Sequence, residues 1–145
     1  MRKVFSFLAI LALAACNQQT SSTAETTAKP AAIDEAKSKE IFDRHFKAFR
    51  ENDLDGIMAD YADEAVLITP DTTYIGSAAI RKGFEGAFQM FPKDSTTYQV
   101  VKTVIKNDLA YVIWSSKSPK LALTYATDSF IIQDGKIIRQ TYAGH

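Results

Sequence analysis

The chain has 145 residues, 46% of them hydrophobic and 23% charged, with 17 basic residues balanced by 17 acidic ones. This is the composition of one ordinary globular domain, and the interspersed signs exclude a basic face for nucleic acid. One Cys and two His exclude a structural zinc site or a disulfide framework as the organiser of the fold, so neither metal nor cofactor is expected.

The first element is a leader. Met1-Arg2-Lys3 precedes an apolar run, Val4 to Ala15, that ends at Cys16, a secretory pattern. Twelve helical residues rise about 18 Å, too little for a hydrocarbon core roughly 30 Å thick. Two cleavage readings compete. Ala12-Leu13-Ala14 has the small-x-small form of an ordinary signal peptidase site, whereas Leu13-Ala14-Ala15-Cys16 resembles the bacterial lipobox, whose Cys is lipidated and becomes the first mature residue. The lipobox accounts for more, since the only Cys closes the only long apolar run and a polar Ser/Thr-rich stretch follows it. The resemblance implies residues 1–15 as signal peptide, acylation at Cys16 and a cell-envelope location. Asn17 in place of Asp implies the outer membrane, facing the periplasm, if the source is Gram-negative.

Residues 17–32 contain no large apolar side chain and cannot repay the entropy of folding, so with Cys16 they read as a flexible tether. Sixteen such residues reach about 20 to 24 Å. Arg2, Lys3 and Lys29 lie before residue 33, as does Glu25, which leaves residues 33–145 at a net charge of −2. Nothing in that balance favours lipid headgroups.

Ile41, Phe42, His45, Phe46 and Phe49 form one apolar stripe and predict a first helix from about Asp34 to Glu51. Asp53 then caps a short second helix with Leu54, Ile57, Met58 and Tyr61 on one face. Ala65 to Thr69 reads as a strand closed by Pro70, with Thr73 to Ile75 pairing back on it. A third helix starts at Gly76-Ser77, carries Ile80, Phe84, Ala87, Phe88 and Phe91, and stops at Pro92. Four long strands follow: Tyr98–Lys106, Leu109–Ser116, Leu121–Ile132 and Lys136–Tyr142. Asn107-Asp108, Lys117-Ser118-Pro119 and Asp134-Gly135 are the turns between them. Short turns imply antiparallel hairpins, and the whole implies an α+β layout with helices on one face of a curled sheet. No Gly-rich phosphate loop or βαβ crossover is present.

These elements carry a resemblance. The first helix followed by Asn52-Asp53-Leu54-Asp55-Gly56-Ile57, then Tyr61-Ala62-Asp63-Glu64-Ala65, a strand ending at Pro70, Gly76-Ser77-Ala78-Ala79-Ile80-Arg81, and the Phe130-Ile131-Ile132-Gln133-Asp134-Gly135-Lys136-Ile137 hairpin resemble the SnoaL-like, nuclear transport factor 2-like superfamily over about residues 35–143. The resemblance implies a cone: a strongly bent antiparallel sheet closed by three helices, with a mostly apolar pocket at its wide end. Its members include ketosteroid isomerases, polyketide cyclases, dehydratases and non-catalytic binding or assembly modules, so fold leaves function open.

Carried across position by position, the isomerase base before the strand-closing Pro becomes Thr69, the oxyanion Tyr of the first helix becomes His45, and the pocket Tyr of the third becomes Phe84. Only the second oxyanion donor keeps its type, as Asp128 before Ser129-Phe130. An alcohol cannot abstract a carbon acid's proton unaided, so steroid isomerisation by the usual base is not expected. His45 and Asp128 remain as a candidate acid/base pair, although His45 also fits the helix stripe as a core residue. Asp128 is expected to point inward, with Ala126, Phe130, Gln140 and Tyr142, while Arg139 and Thr141 face out. Phe49, Tyr61, Thr69, Phe84 and Phe88 complete the expected pocket, and Met58 and Leu67 read as core. Trp114 falls on the strand face opposite Ile113 and Ser115, and turned outward on the convex sheet it would mark the homodimer surface that the resemblance implies through the sheet face; which way it points stays open, and His145 is expected as a mobile terminus. The leading expectation is a membrane-tethered module binding a small apolar or amphipathic molecule. A cofactor-free isomerase, cyclase or dehydratase, and a dimeric assembly module with a filled cone, are the alternatives.

Overall fold

The computed structural model describes residues 33–145, and the expected leader, lipobox, Cys16 and tether lie outside them. Helix α1 (Glu35–Glu51) starts where Asp34 accepts a hydrogen bond from the Lys37 amide at 3.0 Å, and ends at Asn52 in the left-handed region, φ 54°. The predicted stripe is the buried one: Ile41, Phe42, His45 and Ala48 face inward with Ser38. Helix α2 (Leu54–Asp60) is capped by Asp53, whose carboxylate accepts from the Gly56 amide at 2.9 Å. Gly56 permits that approach, since a Cβ there would stand 2.4 Å from Asp53 Oδ2.

Strand β1 (Tyr61–Ile68) begins four residues earlier than expected and pairs with β2 (Thr73–Ile75). Helix α3 (Ser77–Met90) follows Gly76, which has φ 82°, and a short 3₁₀ turn (Lys93–Ser95) leads into β3 (Thr97–Lys106). Strands β4 (Leu109–Lys117), β5 (Ala122–Gln133) and β6 (Lys136–Gly144) complete one sheet in the order β2-β1-β6-β5-β4-β3. Asp134 and Gly135, with φ 50° and 73°, make the primed turn that suits the twist of the β5–β6 hairpin.

All pairs are antiparallel except β1 with β6, which run parallel. Hairpin logic could not anticipate that pairing, because most of the chain lies between the two strands. Register shifts at Val100/Lys102, Trp114/Ser116 and Ile131/Ile132 are bulges of the kind that bend a sheet. The helices cover the concave face, and one apolar cluster packs between the two layers, with Ile41, Ile57, Ile80, Val112 and Ile137 at its centre.

The orientation of Trp114, which the sequence leaves open, is decided here: it is 2% exposed and points into the cone. Asp128 pairs with Val112, so Val112 shares its inward face and Trp114, two residues on, shares it too. His145 is not loose, since its backbone exchanges hydrogen bonds with Tyr125 and accepts from Thr124, and its ring stacks on Tyr125. Among the described residues no helix is long and apolar enough to cross a membrane.

Candidate active or binding site

A cavity of about 740 Å³ lies between the helices and the concave sheet. Its wall carries several aromatic rings. Phe46 and Phe49 come from α1, Phe84 from α3, Trp114 from β4, Phe130 from β5 and Tyr142 from β6. On α3 the residues facing the cavity are Gly83, Gly86, Ala87 and Met90 beside Phe84, and a Cβ at Gly86 would meet nothing within 4 Å. The small side chains leave the space that larger ones would fill. The exposed Pro70, Asp71, Lys82 and His145 border it on the solvent side.

A polar network is set into this wall. Asp128, 7% exposed, accepts from the Trp114 indole N–H at 2.8 Å on Oδ2 and from the Gln140 amide at 2.8 Å on Oδ1. Gln140 in turn accepts from the Tyr61 hydroxyl through its Oε1. The sheet register holds the set together, because Trp114 lies one inward step from Val112, the β4 partner of Asp128, and Gln140 pairs with Phe130 on β6. Burial drives the Asp128 carboxyl up from 3.8 to about 6, against the two donated hydrogen bonds and the nearby His45, which pull the other way. The same dry surroundings push the Tyr61 phenol well above its ordinary value and raise that of Tyr142.

His45 is 2% exposed and lines the cavity, ringed edge-on by Tyr61, Phe84 and Phe130 with centroids 5.3 to 5.9 Å away. Its hydrogen-bond partner is not Asp128. Asp128 is occupied by Trp114 and Gln140, and the carboxylate within ion-pair range of His45 is the fully buried Asp60, Nδ1 to Oδ2 3.7 Å. That separation exceeds a hydrogen bond, and both atoms lack another partner. Arg44, the neighbour of His45 on α1, donates to Asp60 Oδ1 through Nε at 2.7 Å and through Nη2. The expected His45–Asp128 dyad is therefore two adjoining networks, Arg44–Asp60–His45 and Tyr61–Gln140–Asp128–Trp114.

Of the other expected pocket residues, Phe49, Thr69, Phe84, Phe130, Gln140 and Tyr142 line the cavity, as does Leu67. The Thr69 hydroxyl serves the β1–β2 turn, donating to the Thr72 carbonyl at 3.0 Å and accepting from its amide. Tyr61 and Phe88 are corrected: both pack behind the wall. Phe88 follows Ala87, about 100° further round α3, and packs on Phe49 and Phe84 instead. Met58 stays in the partly buried core. Sequence reasoning missed Trp114, Asp60 and Arg44. The register of the β4–β5 hairpin would have found Trp114 once Asp128 was placed inward.

Residues 42–140 match the SnoaL-like domain family. The chain belongs to that family. A comparison with curated proteins finds no match. Among solved structures, the SnoaL-like chain superposes on Bal32a, from a soil-derived mobile gene cassette, with a TM-score of 0.67 at 15% identity, covering 77% of this chain and 92% of that one. A candidate polyketide cyclase from Sinorhizobium meliloti gives 0.61 at 24% identity, over 71% and 93% of the two chains. A candidate ketosteroid isomerase from Kribbella flavida DSM 17836 gives 0.64 at 15%, over 76% and 78%. These likenesses establish the shared fold.

Proposed function

We propose that this SnoaL-like chain is an envelope-tethered module that takes a small apolar or amphipathic molecule into its cone. The observation that carries the reading is the 740 Å³ cavity, with several aromatic rings in its wall and Asp128 and Gln140 set into one side. Volumes of about 300 to 1,000 Å³, mostly apolar with few polar groups, are those of small-molecule sites. The tether rests on Leu13-Ala14-Ala15-Cys16 and the polar residues after it. Calorimetric titration of the full chain, held in phosphatidylcholine nanodiscs with empty discs as blank, tests the pocket with the neutral probe 1-naphthylmethanol. Saturable binding near one to one, abolished by Ala87→Trp with the fold intact, is the expected result. No saturable binding by the wild type would refute it. Release of Cys16→Ala from the membrane fraction tests the anchor, and retention of that variant would sink it.

The convex side of the sheet exposes Val104 and Tyr125, which supports a homodimer through that face. A sedimentation measurement showing a dimer split by Val104→Glu is expected, and a wild-type monomer overturns it. A second reading, acid–base catalysis without a cofactor, is favoured by one observation: a cavity-lining carboxyl poised at about 6. Exchange of the α-protons of 2-tetralone in D₂O, abolished by Asp128→Asn, would support it. Exchange no faster than in buffer would remove it.

A further inference from the structure

The charges that face the cavity do not balance. Asp128 is buried, and both of its donors, the Trp114 indole and the Gln140 amide, are neutral. Among the described residues no Lys or Arg lies within ion-pair distance of it. The basic ring next to it, His45, directs Nδ1 at Asp60, and Asp60 is already held by Arg44. Elsewhere the lining holds one acid, Asp71, and one base, Lys82, which leaves Asp128 without a Lys or Arg of its own.

An ionised carboxylate taken out of water without a counter-charge is costly, and each of its oxygens keeps a lone pair beyond the one already used. Around it stand aromatic rings. Tyr142 pairs with Asp128 across the β5–β6 ladder, and its ring lies 6.3 Å from that of Trp114. Phe49 packs edge-on against Trp114 at 5.8 Å, and Phe130 shares the inward side of β5 with Asp128. Ring faces beside a carboxylate attract cations twice over, through the ring quadrupole and through charge-assisted hydrogen bonds.

Given the reading of the cone as a small-molecule site, on which this rests, we infer that its ligand class is the organic cation: an amine carried on an apolar body, with the ammonium group between Asp128 and the rings of Trp114 and Tyr142. The apolar body fills the space beside Phe49, Phe84 and Ala87. A neutral isostere leaves the carboxylate uncompensated, and an anionic one is repelled by it.

Three isosteric probes test this on the full chain in the same phosphatidylcholine discs: 1-naphthylmethylamine, 1-naphthylmethanol and 1-naphthoate, titrated at pH 7.5. The amine is expected to bind at least tenfold more tightly than the alcohol, with the naphthoate weakest. Asp128→Asn should bring the amine to within about threefold of the alcohol, and an unchanged far-ultraviolet circular dichroism spectrum shows that the variant is folded. Equal affinities for amine and alcohol in the wild type, or an equal loss of both in the variant, overturn the cation assignment while the pocket stands. Failure of all three probes to bind overturns the pocket along with it.

Discussion

Replacing Asp128 by Asn should change how stability depends on pH, in a direction opposite to that of an ordinary carboxylate. The folded Asp128 titrates at about 6 instead of 3.8 because burial disfavours its charge. A raised value means that the native state holds the proton more tightly than the unfolded chain. The contribution of Asp128 to stability is therefore most favourable below about 4, falls as pH rises through the window from 4 to 6, and stays low above it. The gap between 3.8 and about 6, at about 1.36 kcal/mol per pH unit, amounts to on the order of 3 kcal/mol for this fully buried group. Asn cannot titrate. Its oxygen can still accept from Trp114, and its amide can donate to Gln140 once that side chain turns over, so any loss of packing is the same at every pH. Urea unfolding of both proteins at pH 4, 5, 6 and 7.5 measures the difference directly, since most other groups cancel between them. Between pH 4 and 7.5 the stability of the Asp128→Asn variant relative to wild type should rise by roughly 2.5 kcal/mol, the remainder falling below pH 4. His45 acts on Asp128 electrostatically, so the pair is repeated in a His45→Gln background to remove that interaction. A difference that does not vary with pH, or varies with the opposite sign, would refute the claim that Asp128 is buried without a counter-charge.

Trp114→Phe removes one donor to a buried carboxylate and should cost about 2 kcal/mol at pH 7.5 but less at pH 4, where Asp128 is protonated; denaturation at the two pH values checks it. It should also move the Asp128 midpoint above 6, read from the carboxyl carbon shift in an NMR titration, and an unmoved midpoint contradicts the assignment. Asp60→Ala strips Arg44 and His45 of their shared carboxylate; because Arg44 is half exposed the expected loss is about 2 kcal/mol, and one below about 0.5 kcal/mol would show that the pair is immaterial. Gly56→Ala drives a Cβ into the Asp53 cap, so a loss of about 1 kcal/mol is expected in thermal unfolding, and an unchanged Tm would mean that the cap does not hold α2.

Much of the fold is legible in the chain because local chemistry decides it. Helix α1 follows from Ile41, Phe42, His45 and Phe49 recurring on one face, and α2 from Asp53 followed by Gly56, whose amide it caps. Asp134-Gly135 and Asn107 punctuate the strands because they tolerate positive φ. The inward aim of Asp128, Phe130 and Gln140 follows from alternation once one of them is placed. Alternation does not name the buried face, and that is why the orientation of Trp114 stayed open: Ala110, Val112, Trp114 and Ser116 read equally well turned out until the β4–β5 register sets them against Asp128.

The sequence by itself determined the order and kind of most elements and their SnoaL-like succession, because each element depends on residues within a turn or a few turns of one another. Tertiary structure alone decided which groups meet. Trp114 and Asp128 are 14 residues apart, Gln140 and Asp128 12, and Tyr61 and Gln140 79. The last contact exists because β1 lies parallel to β6, a pairing no local signal encodes. His45 met Asp60 in place of Asp128 for the same reason: the end of α2 packs beside α1, and a contact between elements depends on how they dock, not on the pattern within either.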